Sequence, residues 1–145
     1  LEEIMPTSTA SATWEGGLKG GKGSFKSASG AIQGGYSFAT RFESAKGTNP
    51  EELVGAAHAA CFSMALSAGL EKAGKTPTRV STTAVVTLSM DGGPHITAIK
   101  LTTRGVVPGL DQAGFSAAAE EAKKGCPISQ LFKGNAAIEL DAKLE

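Results

Sequence analysis

The sequence predicts an α+β chain, one domain in the order βββ-α-ββ-α-β. Three observations carry that prediction. Short stretches with strand periodicity gather in blocks, and do not alternate one for one with helices. Two segments carry start and stop signals of helices. The 145 residues include 19 glycines, enough to punctuate many tight turns between short strands.

Residues 1–8 are set aside as a flexible end or an expression remnant, because the first Met is Met5, and the single domain is taken as 9–145. Thr9 to Glu15 and Ser24 to Ser29 read as two strands joined by the glycine-rich turn Gly16 to Gly23. From Tyr36 to Glu43, aromatic and Thr positions alternate with Ser37, Ala39 and Arg41, which predicts a third, half-buried strand. A long helix starts next. Asn49 can cap it, Pro50 suits the first helical position, Glu51 and Glu52 complement the dipole, and Gly74 closes it. Val80 to Met90 and His95 to Val107, rich in Val, Ile and Thr, form a hairpin across Asp91-Gly92-Gly93-Pro94. Asp111 caps a helix through Lys124 that Gly125 ends. Pro127 to Phe132 is a helical turn or two, and Ala136 to Leu144 is the last strand.

Composition narrows the functional classes. The 14 basic residues balance the 14 acidic ones, so the chain carries no net charge to draw it to nucleic acid or an anionic membrane. Two cysteines are too few for a secreted disulfide scaffold, and no cationic leader with an apolar run opens the chain, so a cytoplasmic location is expected. Leu53 to Leu70 lacks formal charge and sits at the lower edge of membrane-spanning length. It is nevertheless rich in Ala and interrupted by His58, Ser63 and Ser67, which predicts a helix buried on all sides. So short a chain has difficulty surrounding a helix alone, so a wrapping sheet and a partner subunit are both expected.

Three apparent motifs reduce to structure. Gly16 to Gly23 nearly matches the phosphate-binding GxxxxGK[ST] pattern, but Gly23 replaces the metal-binding hydroxyl and a strand follows in place of a helix. His58 and His95 lie in different elements without Cys or carboxylate at ligand spacing, so no metal or other resident cofactor is expected. The adjacent pairs Glu51-Glu52 and Glu120-Glu121 point apart on a helix and do not make an acid/base couple.

The cysteines are more informative. Cys61 lies mid-way along the apolar helix, one turn after His58, where a small buried hydrophobe is the ordinary role. Gly125-Cys126-Pro127 places Cys126 at the start of a helical turn, whose free N–H groups favour a thiolate. Local sequence therefore nominates Cys126 as the reactive thiol and the long helix as scaffold.

A resemblance changes that balance. The run from Phe42 through Asn49-Pro50-Glu51-Glu52-Leu53 to His58-Ala59-Ala60-Cys61-Phe62-Ser63-Met64-Ala65-Leu66 closely resembles the osmotically inducible protein C (OsmC) family. So do Gly125-Cys126-Pro127-Ile128-Ser129-Gln130, Trp14-Glu15-Gly16, Val107-Pro108-Gly109 and the order of elements, which together cover nearly the whole chain. The wording is nearer this branch than its sister organic hydroperoxide resistance (Ohr) branch. The resemblance implies a cysteine-based peroxidase of organic hydroperoxides that works as an intertwined homodimer, its long helices wrapped by sheets from both chains. It implies that Cys61 is the peroxidatic residue and Cys126 the resolving one. It also implies that Arg41 and Glu51 support the thiolate and that an external dithiol of lipoyl type acts as reductant.

Those residue types suit the chemistry. Burial raises a thiol's pKa, whereas attack on a peroxide needs the thiolate, and a nearby guanidinium restores it. The sulfenic acid formed on Cys61 would condense with Cys126 to a disulfide, which thiol exchange reopens. Glu51 and Cys61 stand ten positions apart, about 15 Å along a straight helix, so a break or sharp bend is expected between Leu53 and Ala59. Without one, only the fork of Arg41 could join them. Phe38, Phe42, Met64 and His58 are the candidate walls of an apolar substrate pocket. The competing expectations are a non-enzymatic dimeric redox-sensing module and a small-molecule-binding module built on the same cleft.

Overall fold

In the computed structural model, which describes residues 5–145, the chain is α+β and divides into two units that meet between Pro50 and Glu51 in the sequence. Of residues 1–8, set aside above, residues 1–4 lie outside the described residues.

The N-terminal unit is a three-stranded antiparallel meander of β1 (Ala10–Glu15), β2 (Lys22–Ser27) and β3 (Gln33–Tyr36), followed by the short helix α1 (Phe38–Phe42). The β1–β2 connection is a turn, as expected: the Trp14 indole N–H bonds the Gly16 carbonyl at 3.0 Å, and Gly16 holds φ +91°, a conformation open to glycine. Gly23 has a different reason to lack a side chain, since a Cβ there would fall 2.5 Å from the Tyr36 ring.

The expected strand from Tyr36 to Glu43 is instead the end of β3 and the whole of α1. Ser37 caps the helix, accepting the Thr40 N–H while Thr40 Oγ1 accepts the Ser37 N–H. The alternation that suggested a strand also places Phe38 and Phe42 one helical turn apart, and their rings meet at 5.0 Å. Two periods fit the same five residues, and the reciprocal cap decides between them.

The C-terminal unit holds α2 (Pro50–Lys72), β4 (Arg79–Ser89), β5 (His95–Val106), α3 (Gln112–Gly125), α4 (Pro127–Phe132) and β6 (Ala137–Leu144). Its sheet has the order β4-β5-β6, with β4–β5 the expected antiparallel hairpin and β6 parallel to β5. One face is covered. Ile99, Leu101 and Thr103 of β5 are wholly buried beside Val86, Ala84 and Thr82 of β4, with Ile138, Leu140 and Ala142 of β6 on the other side. Phe62, Leu66 and Leu70 of α2 and Phe115, Ala119 and Ala122 of α3 complete this core. A chain of hydroxyls crosses it: Ser63 donates to Thr82 at 2.7 Å, Thr82 and Thr103 lie 3.0 Å apart, and Thr103 donates to the Ser81 carbonyl.

α2 runs unbroken, so the expected break between Leu53 and Ala59 is absent. Gly55, the residue that suggested it, serves close packing: a Cβ there would meet Val86 Cγ2 at 3.4 Å and the Ala84 carbonyl at 3.5 Å. The helix ends as expected, with Gly74 at φ +79°. By length and composition it could cross a membrane, with mean hydropathy 1.6 over its most apolar window. Within this unit it packs as a core helix, through one stripe of Gly55, His58, Phe62, Leu66 and Leu70. Burial on all sides is therefore not met within one chain: Met64, off that stripe, is 78% exposed.

Asp111 caps α3 as expected, accepting the Gly114 N–H at 2.7 Å. The two arginines of this unit are engaged by carboxylates, Arg79 by Glu145 and Arg104 by Asp141. The Arg104 hydrogen bond holds the Asp141 carboxyl below its ordinary pKa.

Candidate active site

The chemistry of the C-terminal unit converges on the first turn of α4. Pro127 at its first position needs no N–H partner, so the turn presents the N–H groups of Ile128 and Ser129. Cys126 is the cap residue, and its sulfur accepts the Ser129 N–H at 3.3 Å. The Cys61 sulfur, arriving from the middle of α2, accepts the Ile128 N–H and lies within hydrogen-bonding reach of the Cys126 thiol. Two free thiols far apart in sequence thus share one helical turn.

Their surroundings differ. Cys126 is fully buried, whereas Cys61 is partly exposed. Burial pushes the Cys61 pKa above that of an ordinary thiol. The Ile128 N–H opposes this, while the Cys126 thiol adds to it. Its neighbours in this unit therefore leave Cys61 protonated at neutral pH, and a positive group must be added to make it a nucleophile.

Behind the thiols lies a polar chain that sequence reasoning missed. Cys126 S–H donates to Ser129 Oγ at 3.2 Å, and Ser129 Oγ lies 2.7 Å from His58 Nε2. His58 is fully buried, edge-on to the Phe132 ring, and its Nδ1 has no hydrogen-bond partner. The available signal for Ser129 was its spacing, three positions after a cap residue, where a side chain can bond back toward the cap.

Burial lowers the pKa of His58, so its neutral form is the one compatible with the fold. Below about pH 6.5 an unfolded chain protonates this imidazole while the folded chain resists, so acid favours unfolding. Urea unfolding between pH 7.5 and 5.5, both roughly chosen to bracket that value, is expected to lose stability by at most about 1.4 kcal/mol per pH unit from this group. His58→Gln should remove that share of the slope. An unchanged slope in the variant would show that the imidazole is protonated alike in both states.

The remaining candidates occupy other places. Arg41 closes α1 in the N-terminal unit, its guanidinium 5.3 Å from the Phe42 ring centroid. With Phe38, Phe42, Trp14, Leu18 and Tyr36 it lines a cleft of about 260 Å³. Glu51 stands in the first turn of α2. Because α2 is unbroken, the ten-position separation keeps Glu51 about 15 Å from Cys61 along the axis, and the direct contact that a break would have allowed is excluded. Met64 is on the exposed side of α2, and His58, placed as a pocket wall from sequence, is sealed in the core. Among the described residues no group of three or more His, Cys, Asp or Glu converges as a metal site.

The family model for OsmC-like proteins matches residues 43–141, which include α2, both thiols and the whole of α4. The chain belongs to the OsmC-like family. It is 54% identical to Peroxiredoxin OsmC of Escherichia coli (strain K12) over 136 residues, 92% of this chain and 94% of that protein. It is 35% identical over 95 residues to an organic hydroperoxide resistance protein of Xanthomonas axonopodis pv. citri, 65% of this chain and 66% of that one. Among solved structures, OhrB of Bacillus subtilis, an organic hydroperoxide resistance protein, superposes with TM-score 0.74 at 27% identity, covering 93% of this chain and 98% of that one. An OsmC structure from Legionella pneumophila gives TM-score 0.79 at 24% identity, covering 97% and 99%, and bears on the fold alone. The OsmC-like residues of this chain thus contain the thiol pair of α2 and α4 in full.

Proposed function

We propose that Cys61 reduces organic hydroperoxides to alcohols and that Cys126 resolves the oxidised product. The chain is an enzyme, a thiol-dependent peroxidase, as its OsmC family membership and its likeness to a peroxiredoxin support. The observation that carries the cysteine assignment is the meeting of two free thiols on one turn of α4.

In this reading the Cys61 thiolate attacks the distal oxygen of the hydroperoxide. The O–O bond breaks, the alkoxide leaves and takes a proton, and Cys61 becomes a sulfenic acid. Partial exposure gives the substrate access to Cys61, and the burial of Cys126 keeps the resolving thiol away from stray oxidant. The pair condenses to a disulfide that an external dithiol, lipoyl in type by family resemblance, reopens by exchange. No resident cofactor takes part.

Arg41 supplies the positive charge that Cys61 needs, with Glu51 as the carboxylate that holds the guanidinium. The aromatic lining of the Arg41 cleft suits an alkyl or aryl hydroperoxide better than hydrogen peroxide. The uncovered faces of α2 are met by a second copy in an intertwined homodimer, and the unpaired thiols suit the reducing cytoplasm.

Steady-state turnover of cumene hydroperoxide with a dithiol, followed by peptide mass spectrometry after one equivalent of oxidant, tests the reading. The expected result is turnover that exceeds that of hydrogen peroxide, and a Cys61–Cys126 bridged peptide. Absence of turnover, or oxidation without that bridge, would overturn it.

A further inference from the structure

Resolution requires the Cys126 proton to leave a sulfur that is 0% exposed. Water cannot collect it directly. The oxygen acceptor of this S–H is Ser129 Oγ at 3.2 Å, and the next atom in line is His58 Nε2 at 2.7 Å. His58 sits one helical turn before Cys61 on α2, and Ser129 one turn after Cys126 at α4, so the two thiols and the two polar groups form one continuous chain from Cys61 to His58. A buried imidazole bonded to a lone serine is a usual core arrangement. What is unusual here is the other end, where that serine holds the thiol on which the second chemical step depends, and the orphaned Nδ1 of His58. A His retained only to satisfy Ser129 leaves half of its own polarity unmet, at a cost a smaller partner would avoid.

We propose that Ser129 and His58 form a proton relay that activates Cys126 for its attack on oxidised Cys61. The proposal rests on the cysteine assignment above and adds two residues to it. Ser129 touches a reacting atom; His58 acts through it as a positioning and proton-holding residue. As Cys126 attacks the Cys61 sulfenic sulfur, its S–H bond breaks and the proton passes to Ser129 Oγ, whose own proton moves to His58 Nε2. The S–S bond forms and the S–O bond of Cys61 breaks, with its electron pair leaving on hydroxide. The proton held on His58 returns through Ser129 to that hydroxide as water, so thiol plus sulfenic acid give disulfide plus water with nothing left over. The imidazole meets Ser129 Oγ and the edge of the Phe132 ring, both from the α4 segment, and neither titrates. Burial is what shifts the imidazole, with no charged side chain acting on it among the described residues.

The relay can be read without hydroperoxide. Dithiobis(nitrobenzoate) converts partly exposed Cys61 to a mixed disulfide and releases one coloured thiolate. Cys126 then displaces the second, and the ratio of the two rates isolates Cys126. Ser129→Ala and His58→Gln are each expected to slow the second release relative to the first by about tenfold or more. The Gln amide can still bond Ser129 but cannot take its proton. In wild type the second rate should level off above the imidazole's titration, whereas in both variants it should keep rising with hydroxide. Second rates within about twofold of wild type in both variants would overturn the relay. So would a wild-type rate or pH profile in His58→Gln alone, which would reduce the pair to packing. Failure of the peroxidase reading shows separately, as wild-type protein that consumes no cumene hydroperoxide.

Discussion

Cys61→Ser is expected to reduce hydroperoxide turnover by at least about a thousandfold, because a serine hydroxyl has no accessible anion to attack the O–O bond. Cys126→Ser should behave differently. It should still consume one equivalent of hydroperoxide, but the product should be a sulfenic acid, a protein one oxygen heavier, in place of the disulfide, which has lost two hydrogens. Excess oxidant should then carry Cys61 to the sulfinic acid, from which thiols cannot rescue it. Stopped-flow consumption with intact mass spectrometry distinguishes the two variants. Turnover that survives Cys61→Ser, or a wild-type protein that accumulates sulfenic acid, would contradict the assigned roles. The geometry makes the second role specific: the Cys126 thiol lies within hydrogen-bonding reach of the Cys61 sulfur beside the first turn of α4, which suits them to bridge.

Phe115→Ala should give the largest loss of stability, about 3–5 kcal/mol, with the melting temperature falling by roughly 10–20 °C. Phe115 is wholly buried in α3, and its ring fills the space left by Gly105 of β5, where a Cβ would come within 2.5 Å of the ring. The complement is as informative. Gly105→Ala alone should cost about 1–3 kcal/mol by overpacking. In the Phe115→Ala background the added methyl should enter the vacated space, so the two changes should be strongly non-additive. Simple additivity in calorimetry or urea unfolding would mean that the ring does not seat on that glycine.

Most elements were legible because their punctuation is local. Asp111 before α3, Pro50 at the first position of α2, Gly74 after it and Asp91-Gly92-Gly93 in the hairpin each act within a turn or two of their own position. The errors have physical causes. Phe38 and Phe42 fit both a strand and a helix, and the Ser37–Thr40 cap that decides the matter is two weak residues long. Gly55 signals a kink and a close approach equally, and only its neighbours Ala84 and Val86 tell which. The parallel pairing of β6 with β5 depends on how α3 and α4 carry the chain back, which no local pattern records.

The site was legible in halves. Local reading correctly put Cys126 at a helix start and nominated it as the reactive thiol, whereas the fold buries it completely. Resemblance was needed to bring Cys61 out of the scaffold. The contact of Ser129 with His58 spans 71 positions, and nothing in either neighbourhood advertises the other.

The one-sided seating of α2 has a consequence for assembly. A solitary copy would offer Met64 and the neighbouring Ala-rich surface to water, a cost that association relieves. On the dimeric reading, folding and pairing are then a single mass-action process, and dilution itself becomes a denaturant.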